Sequence, residues 1–356
     1  MTADPITVPT EVDHRESRAE ADRLAVGGDL VGAVDLLQDA FLRSPDPVTA
    51  ERLIHLRAEA GAPGVLPKAT GSWPPRYDDP FPDVGHDVLP EVPAAEASLA
   101  TLAGGVEHHG AVIIRGAMAR SHVDRVVEVI RSIEDHLELP IGAPVPDDRS
   151  YQPFDGLDAR PGPERTRRHK QRHMVARQGG CWLADSPVGT AIALGALWST
   201  GLIELLTEHF GSRPLFSLQK ATLRRSRAEN RLSGWHQDGS FLGPAPRTMN
   251  VWTALSPCGG DRPTPGLEVI PTRVDEILPT DGDLGQVAIS PSTVARAADG
   301  IPGIIPEFEP GDALIFDQYF VHRSHFGPDM DTDRFALECW TFASGHAPEH
   351  YIPLLA

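Results

Sequence analysis

Residues 233–239 read Ser-Gly-Trp-His-Gln-Asp-Gly, and residues 310–322 read Pro-Gly-Asp-Ala-Leu-Ile-Phe-Asp-Gln-Tyr-Phe-Val-His. The first stretch holds a His-x-Asp pair, His236 and Asp238. In an extended strand, side chains two apart point to the same face, so this pair would chelate one ion from one side of a sheet. The second stretch is a Gly-marked turn followed by an apolar strand, and it ends on His322. His-x-Asp alone is common, and the chain holds another, His122-Val-Asp124. That copy falls in an amphipathic helix expected over 120–137, where residues two apart diverge by roughly 200° and share no ion. The pairs His169/His173 and His346/His350 have i,i+4 spacing, but no carboxylate completes a site.

Working outward, residues 215–342 break into short apolar runs separated by Gly and Pro. The expected strands are 215–225, 234–240, 249–256, 267–271, 312–317, 319–324 and 334–342. Helical patterns precede them, so the fold class is α+β, a jelly-roll or cupin-like barrel flanked by helices. On such a barrel His236, Asp238 and His322 would be a metal triad of two imidazoles and one carboxylate. Three positions would stay open, as in non-haem Fe(II) oxygenases. Arg334 opens the last strand. A guanidinium facing a barrel interior needs an anion, and its fork matches a carboxylate. The plainer alternative is a structural Arg–Glu pair.

Towards the N-terminus, 1–60 reads as a small helical segment. Ala21 to Pro45 resembles one tetratricopeptide repeat or, equally, an ordinary helical hairpin, with Gly27-Gly28 breaking two helices and Asp29 capping the second. One such unit cannot bury its own apolar face, so it should dock on the main domain or on a second copy of the chain. Residues 61–93 hold eight prolines and read as an extended linker anchored by Trp73, Tyr77 and Phe81. The remaining 94–356 would be the catalytic domain, loop-rich over 138–185.

Composition narrows the function classes. The 356 residues carry 32 basic and 50 acidic side chains, a net charge of −18, which argues against nucleic acid as a partner. No apolar run is long enough for a membrane span, and the polar start lacks a secretory pattern. The three cysteines, Cys181, Cys258 and Cys339, are widely spaced, so neither a disulfide framework nor a cysteine zinc site is expected. A reducing, cytoplasmic setting follows. Arginine outnumbers lysine 29 to 3 beside abundant Ala, Gly and Pro, which fits a high-GC bacterial composition.

The runs WHQDGSFLG, RTMNVWTALSPC, PGLEVIPTR, PGDALIFDQYFVHRSH and DRFALECWTF resemble the phytanoyl-CoA dioxygenase family over roughly 94–345. The resemblance implies a double-stranded β-helix and an Fe(II)/2-oxoglutarate-dependent dioxygenase that uses O2 to hydroxylate an unactivated C–H bond. It implies that His236, Asp238 and His322 bind iron and that Arg334 holds the far carboxylate of 2-oxoglutarate. It further suggests Gln219, Trp252 and Ser324 as cofactor contacts. The family's Pro-Gly-Ser-His turn is replaced here by Ile270-Pro271-Thr272-Arg273. Trp235 and Phe241 flank the metal loop and would line a substrate pocket or simply pack in the core. Two basic stretches, 160–177 and 220–231, include Arg172. They would either meet an anionic or carrier-linked small-molecule substrate or pair with surface acids. Two rivals stand beside this reading: a cupin-like metalloenzyme independent of 2-oxoglutarate, and a non-catalytic scaffold working through the N-terminal helices.

Overall fold

The structure, a computed structural model, describes residues 12–137, 147–154, 163–229, 234–281, 287–349 and 351–356. Three helices open the chain: α1 (His14–Val26), α2 (Leu30–Arg43) and α3 (Pro47–Gly61). Each begins on an aspartate, Asp13, Asp29 or Asp46, whose carboxylate accepts from free first-turn amides. These helices do not stand apart from the rest. Leu37, Phe41 and Leu53 share one apolar cluster with Ala191, Leu215 and Leu355. Arg57, fully buried on α3, donates to Leu355 O (2.6 Å) and Gln38 Oε1 (2.6 Å), and Gln38 Nε2 donates to Ala191 O (2.9 Å). The apolar face of the helical segment is therefore covered from within the same chain. Residues 62–90 form neither helix nor strand. Trp73 and Phe81 pack this stretch against the core.

Next come β1 (Glu91–Pro93), α4 (Leu99–His109), β2 (Ala111–Arg115), α5 (Arg120–Ile133), α6 (Pro163–Arg177), β3 (Gly180–Trp182), α7 (Pro187–Trp198) and α8 (Leu202–Phe210). The strand-rich part follows: β4 (Leu215–Ser226), α9 (Gly239–Leu242), β5 (Thr248–Ala254), β6 (Gly266–Val269), α10 (Pro291–Ala297), β7 (Ala313–Phe316), β8 (His322–His325), β9 (Arg334–Phe342) and β10 (Pro353–Leu355). The large sheet has eight strands in the order β1-β2-β7-β5-β9-β4-β10, with β3 also paired to β4. Strands β6 and β8 form a small sheet.

Strand alternation sorts the side chains into layers. Val251, Ile315, Leu337 and Cys339 face helices α4, α5, α7 and α8 in one core. Their neighbours Trp252, Leu314, Ala336 and Trp340 face the other way and cluster with Leu267 and Val269 of the small sheet. The order is thus helices, large sheet, small sheet. The face of the large sheet that looks at the small one is its inner face. Among the described residues no single helix is long and apolar enough to cross a membrane.

Two elements depart from expectation. Residues 163–177, expected as loop, form α6. After Pro163 this run has no Gly or Pro and is filled with Arg, Gln, Met and Ala, which favour helix despite the charge density. The strand expected over 234–240 does not form. Only Trp235 and His236 make strand-like bridges, and Asp238 is already helical (φ −67°, ψ −17°) at the head of α9.

Candidate metal centre

His236 and His322 are cross-strand partners. Each backbone N–H donates to the other's carbonyl at 3.0 Å, and the ring centroids lie 4.3 Å apart. Asp238 joins them by a route the sequence did not suggest. The backbone turns from extended to helical after His236, and this turn, rather than strand alternation, brings the carboxylate round. Asp238 Oδ1 lies 4.0 Å from His236 Nε2, and one donor atom from each of the three residues falls within 4.8 Å of the others. One ion with bonds of about 2.0–2.2 Å spans the 4.0 Å between Asp238 and His236.

The remaining polar atoms of these side chains are committed elsewhere. His236 Nδ1 lies 3.0 Å from Gly234 O, and His322 Nδ1 lies 3.1 Å from Phe320 O. A carbonyl only accepts, so each Nδ1 carries the proton and each Nε2 presents a lone pair. Burial, with His236 adding to it, pushes the His322 imidazole down to about 4, so it is neutral near pH 7 and fit to ligate. Trp340 Nε1 donates to Asp238 Oδ2 at 2.6 Å. Two lone pairs and a carboxylate oxygen thus converge with no donor among them, an arrangement that a cation relieves. The residues fit a divalent metal.

The loop between the ligands is pinned. Gln237 is fully buried, and its amide donates to Glu276 O (3.0 Å) and Tyr319 O (2.6 Å) while accepting from Leu278 N (2.7 Å). Gly239 N donates to Gln318 O at 2.8 Å, and a Cβ at Gly239 would stand 2.8 Å from that oxygen. Asp317 accepts from Tyr319 N (2.9 Å) and from Arg273 (2.6 Å), so it caps the turn into His322 and touches no ligand.

Arg334, 2% exposed, makes no ion pair with any described carboxylate. It donates to Gly266 O (2.6 Å) and Ser226 Oγ (3.0 Å), lies 5.5 Å from the Trp252 ring centre, and leaves Nε without a partner. Burial lowers its pKa to about 10, which leaves it a cation. The Arg–Glu alternative therefore has no counterpart in the structure. Trp252 belongs to the inner-face cluster, and Ser324 follows His322 by two residues on β8, hence on the same face.

Gln219 Oε1 accepts from Ile352 N (3.1 Å). Two other expected contacts lie elsewhere. Trp235, next to His236 in extended backbone, points the opposite way. It packs with Ile270, Ile289 and Val321 beneath the Arg323 guanidinium (4.6 Å) and lines no metal pocket. Arg172 is a structural tie: its guanidinium holds buried Asp185 at 2.5 and 3.0 Å and covers the Trp182 ring. Much of the basic character is spent in the same way, in pairs Arg224–Glu338, Arg225–Glu134, Arg225–Asp333 and Arg227–Glu229. Arg160, Arg231, His350 and the side chains of 163–169 lie outside the described residues. Phe241 does pack on the inner-face cluster. In the control motif, Asp124 pairs with Arg120 and His122 meets Ser199, both on the helix side. A cavity of about 570 Å³ lies against the outer face of β4, between Ile130, Leu137, Cys181 and Leu223, and no triad residue lines it. Trp340 escaped the sequence reading, although its parity with Arg334 along β9 was a usable signal.

No family model and no characterised relative matches the chain. Solved structures align with the chain at low identity. The crystal structure of EctD from S. alaskensis with 2-oxoglutarate and 5-hydroxyectoine aligns at 13% identity and a TM-score of 0.48, over 68% of this chain and 74% of that one. The non-heme alpha ketoglutarate dependent carbocyclase SnoK from nogalamycin biosynthesis aligns at 13% identity and 0.45, over 74% and 99%. AviO1 from Streptomyces viridochromogenes Tue57 aligns at 17% identity and 0.41, over 68% and 93%. Likeness this distant assigns no activity, so the functional reading rests on the site.

Proposed function

We propose that this chain is an Fe(II)/2-oxoglutarate-dependent oxygenase that hydroxylates an unactivated C–H bond of a small molecule, with O2 as co-substrate and a setting in bacterial secondary metabolism. Its two facing sheets would be a double-stranded β-helix of the phytanoyl-CoA dioxygenase-like kind, with 94–356 as the catalytic domain. The observation that carries this reading is the convergence of His236, Asp238 and His322 with every other polar atom already engaged. Two neutral imidazoles and one carboxylate suit ferrous iron and leave three positions for a chelating oxo acid and O2. When bound, that iron and the oxo acid together supply oxidative decarboxylation and removal of hydrogen from carbon.

The chain's own residues do the positioning. Backbone carbonyls fix both imidazole tautomers. Trp340 holds Asp238 so that one oxygen faces the imidazoles. Arg334, cationic and short of an anion, would receive the distal carboxylate of 2-oxoglutarate beside Trp252, with Ser324 near the distal histidine. Three buried free thiols, Cys181, Cys258 and Cys339, support a reducing compartment. The scaffold reading is less well supported, because the N-terminal helices use their apolar face on the chain itself.

Anaerobic addition of Fe(II) and 2-oxoglutarate should produce the weak visible charge-transfer band of the chelate. Asp238→Ala should abolish it while leaving the fold intact by circular dichroism. Metal binding without a 2-oxoglutarate-dependent band would turn the assignment to the cupin-like alternative.

A further inference from the structure

Strand β4 is irregular where it passes the metal centre. Its register against β9 jumps from Phe216–Thr341 to Ala221–Cys339, so residues 217–220 stand opposite Trp340 alone. A bulge of this kind re-aims side chains. Here it delivers Lys220 beside the tryptophan that holds Asp238. The Lys220 ammonium sits 3.4 Å from the ring centre of Phe241, three residues after Asp238, and Phe241 packs on the inner-face cluster. Among the described residues Lys220 has no hydrogen bond and no ion pair, unlike Arg172, Arg224, Arg225 and Arg227 in the same basic stretches. Burial lowers its pKa, and the charges of Asp238 and Glu338 oppose that shift.

A partly desolvated ammonium without a counter-ion is costly, and an incoming anion offsets that cost. The neighbouring inner-face rung does not supply one. Glu338 accepts only long bonds, 3.3 Å each, from Thr222 and Arg224. Nor does the anion expected at Arg334 serve both cations. Arg334 pairs in register with Ser226, six residues along β4 from Lys220, or about 20 Å of strand.

We propose that Lys220, over the face of Phe241, is a binding residue for an anionic oxygen group, carboxylate or phosphate, on the primary substrate, next to the metal centre. This rests on the oxygenase reading for the identity of the site as a substrate site, and not for the binding itself.

The chain has three lysines, Lys68, Lys170 and Lys220, so amine modification followed by mass spectrometry resolves each one. Full-length protein, metal-free and with Zn(II) and 2-oxoglutarate, is labelled in the presence of medium-chain carboxylates, alkyl phosphate monoesters, or the matching amides and alcohols. Either anion class should slow labelling of Lys220 at least tenfold relative to the neutral isosteres, with Lys68 and Lys170 unchanged. The class that protects identifies the group. By calorimetry, Lys220→Met should weaken the protecting anion at least tenfold, Lys220→Arg should restore it within threefold, and 2-oxoglutarate affinity should stay the same in both. Equal protection by neutral isosteres, protection by neither class, or a Lys220→Met variant that loses 2-oxoglutarate instead would overturn the proposal. If the parent protein binds neither metal nor 2-oxoglutarate, the oxygenase reading fails, and the metal-free labelling still decides the role of Lys220.

Discussion

Replacing Trp340 by Phe tests how the metal centre is held. The indole Nε1 donates to Asp238 Oδ2 at 2.6 Å, and both residues are buried, with Asp238 only 5% exposed. Phenylalanine keeps most of the ring but removes the donor, so a buried carboxylate oxygen loses its partner. A hydrogen bond to a charged group contributes about 1.5–3 kcal/mol. At 1.4 kcal/mol per decade, metal affinity should fall roughly 10- to 150-fold. Supporting hydrogen bonds at other metal sites have effects of about 10–100-fold, the same range. The assay is competition between the protein and a chromophoric chelator for a divalent metal. Removing part of a fully buried indole also costs stability, about 1–3 kcal/mol. Thermal unfolding of the metal-free variant is therefore measured alongside, and affinities are compared well below its midpoint. An affinity within threefold of the parent would refute the claim that Trp340 positions Asp238 for ligation.

Further outcomes can be checked independently. Arg334→Leu should raise the 2-oxoglutarate concentration needed for half-saturation of the charge-transfer band by about 100-fold, since it deletes charge-assisted bonds of about 1.5–3 kcal/mol; an unchanged titration would favour a 2-oxoglutarate-independent enzyme. Arg57→Met removes the ties to Leu355 O and Gln38 and should lower unfolding stability in urea by about 2–4 kcal/mol; no loss would mean the seam is held by apolar packing alone. His209 is buried with neither ring nitrogen bonded, and burial pushes its pKa down to about 4. The unfolded chain therefore binds the proton first, near pH 6.5, so stability is full above that value and falls by about 3 kcal/mol as pH drops from 6.5 toward 4. His209→Phe should remove its share of this limb of the pH–stability profile and leave the share of His322, whose pKa burial also lowers to about 4; a profile identical to the parent's would refute the assignment.

Much of the fold was legible because local chemistry repeats along the chain. The aspartate caps and apolar spacing announced the first helices. Gly and Pro punctuation marked most strands after Pro214. His322 and Arg334 were visible as polar residues at the ends of apolar strands, where burial is hard to justify without a partner. Helix α6 was missed because its charge suggested loop, although its residues favour helix.

Sequence alone determined which side chains had metal-binding chemistry and which control motif, His122-Val-Asp124, lacked it. Only tertiary structure decided how they meet. Asp238 reaches the histidines through a turn into α9 rather than along a strand. Trp340, 102 residues away, holds its second oxygen. Trp235 and Arg172 resembled site residues but are committed to packing and pairing. Residue type sets what a side chain can do, but direction depends on backbone turns and bulges, and partners depend on contacts between distant segments. Those are properties of the assembled chain.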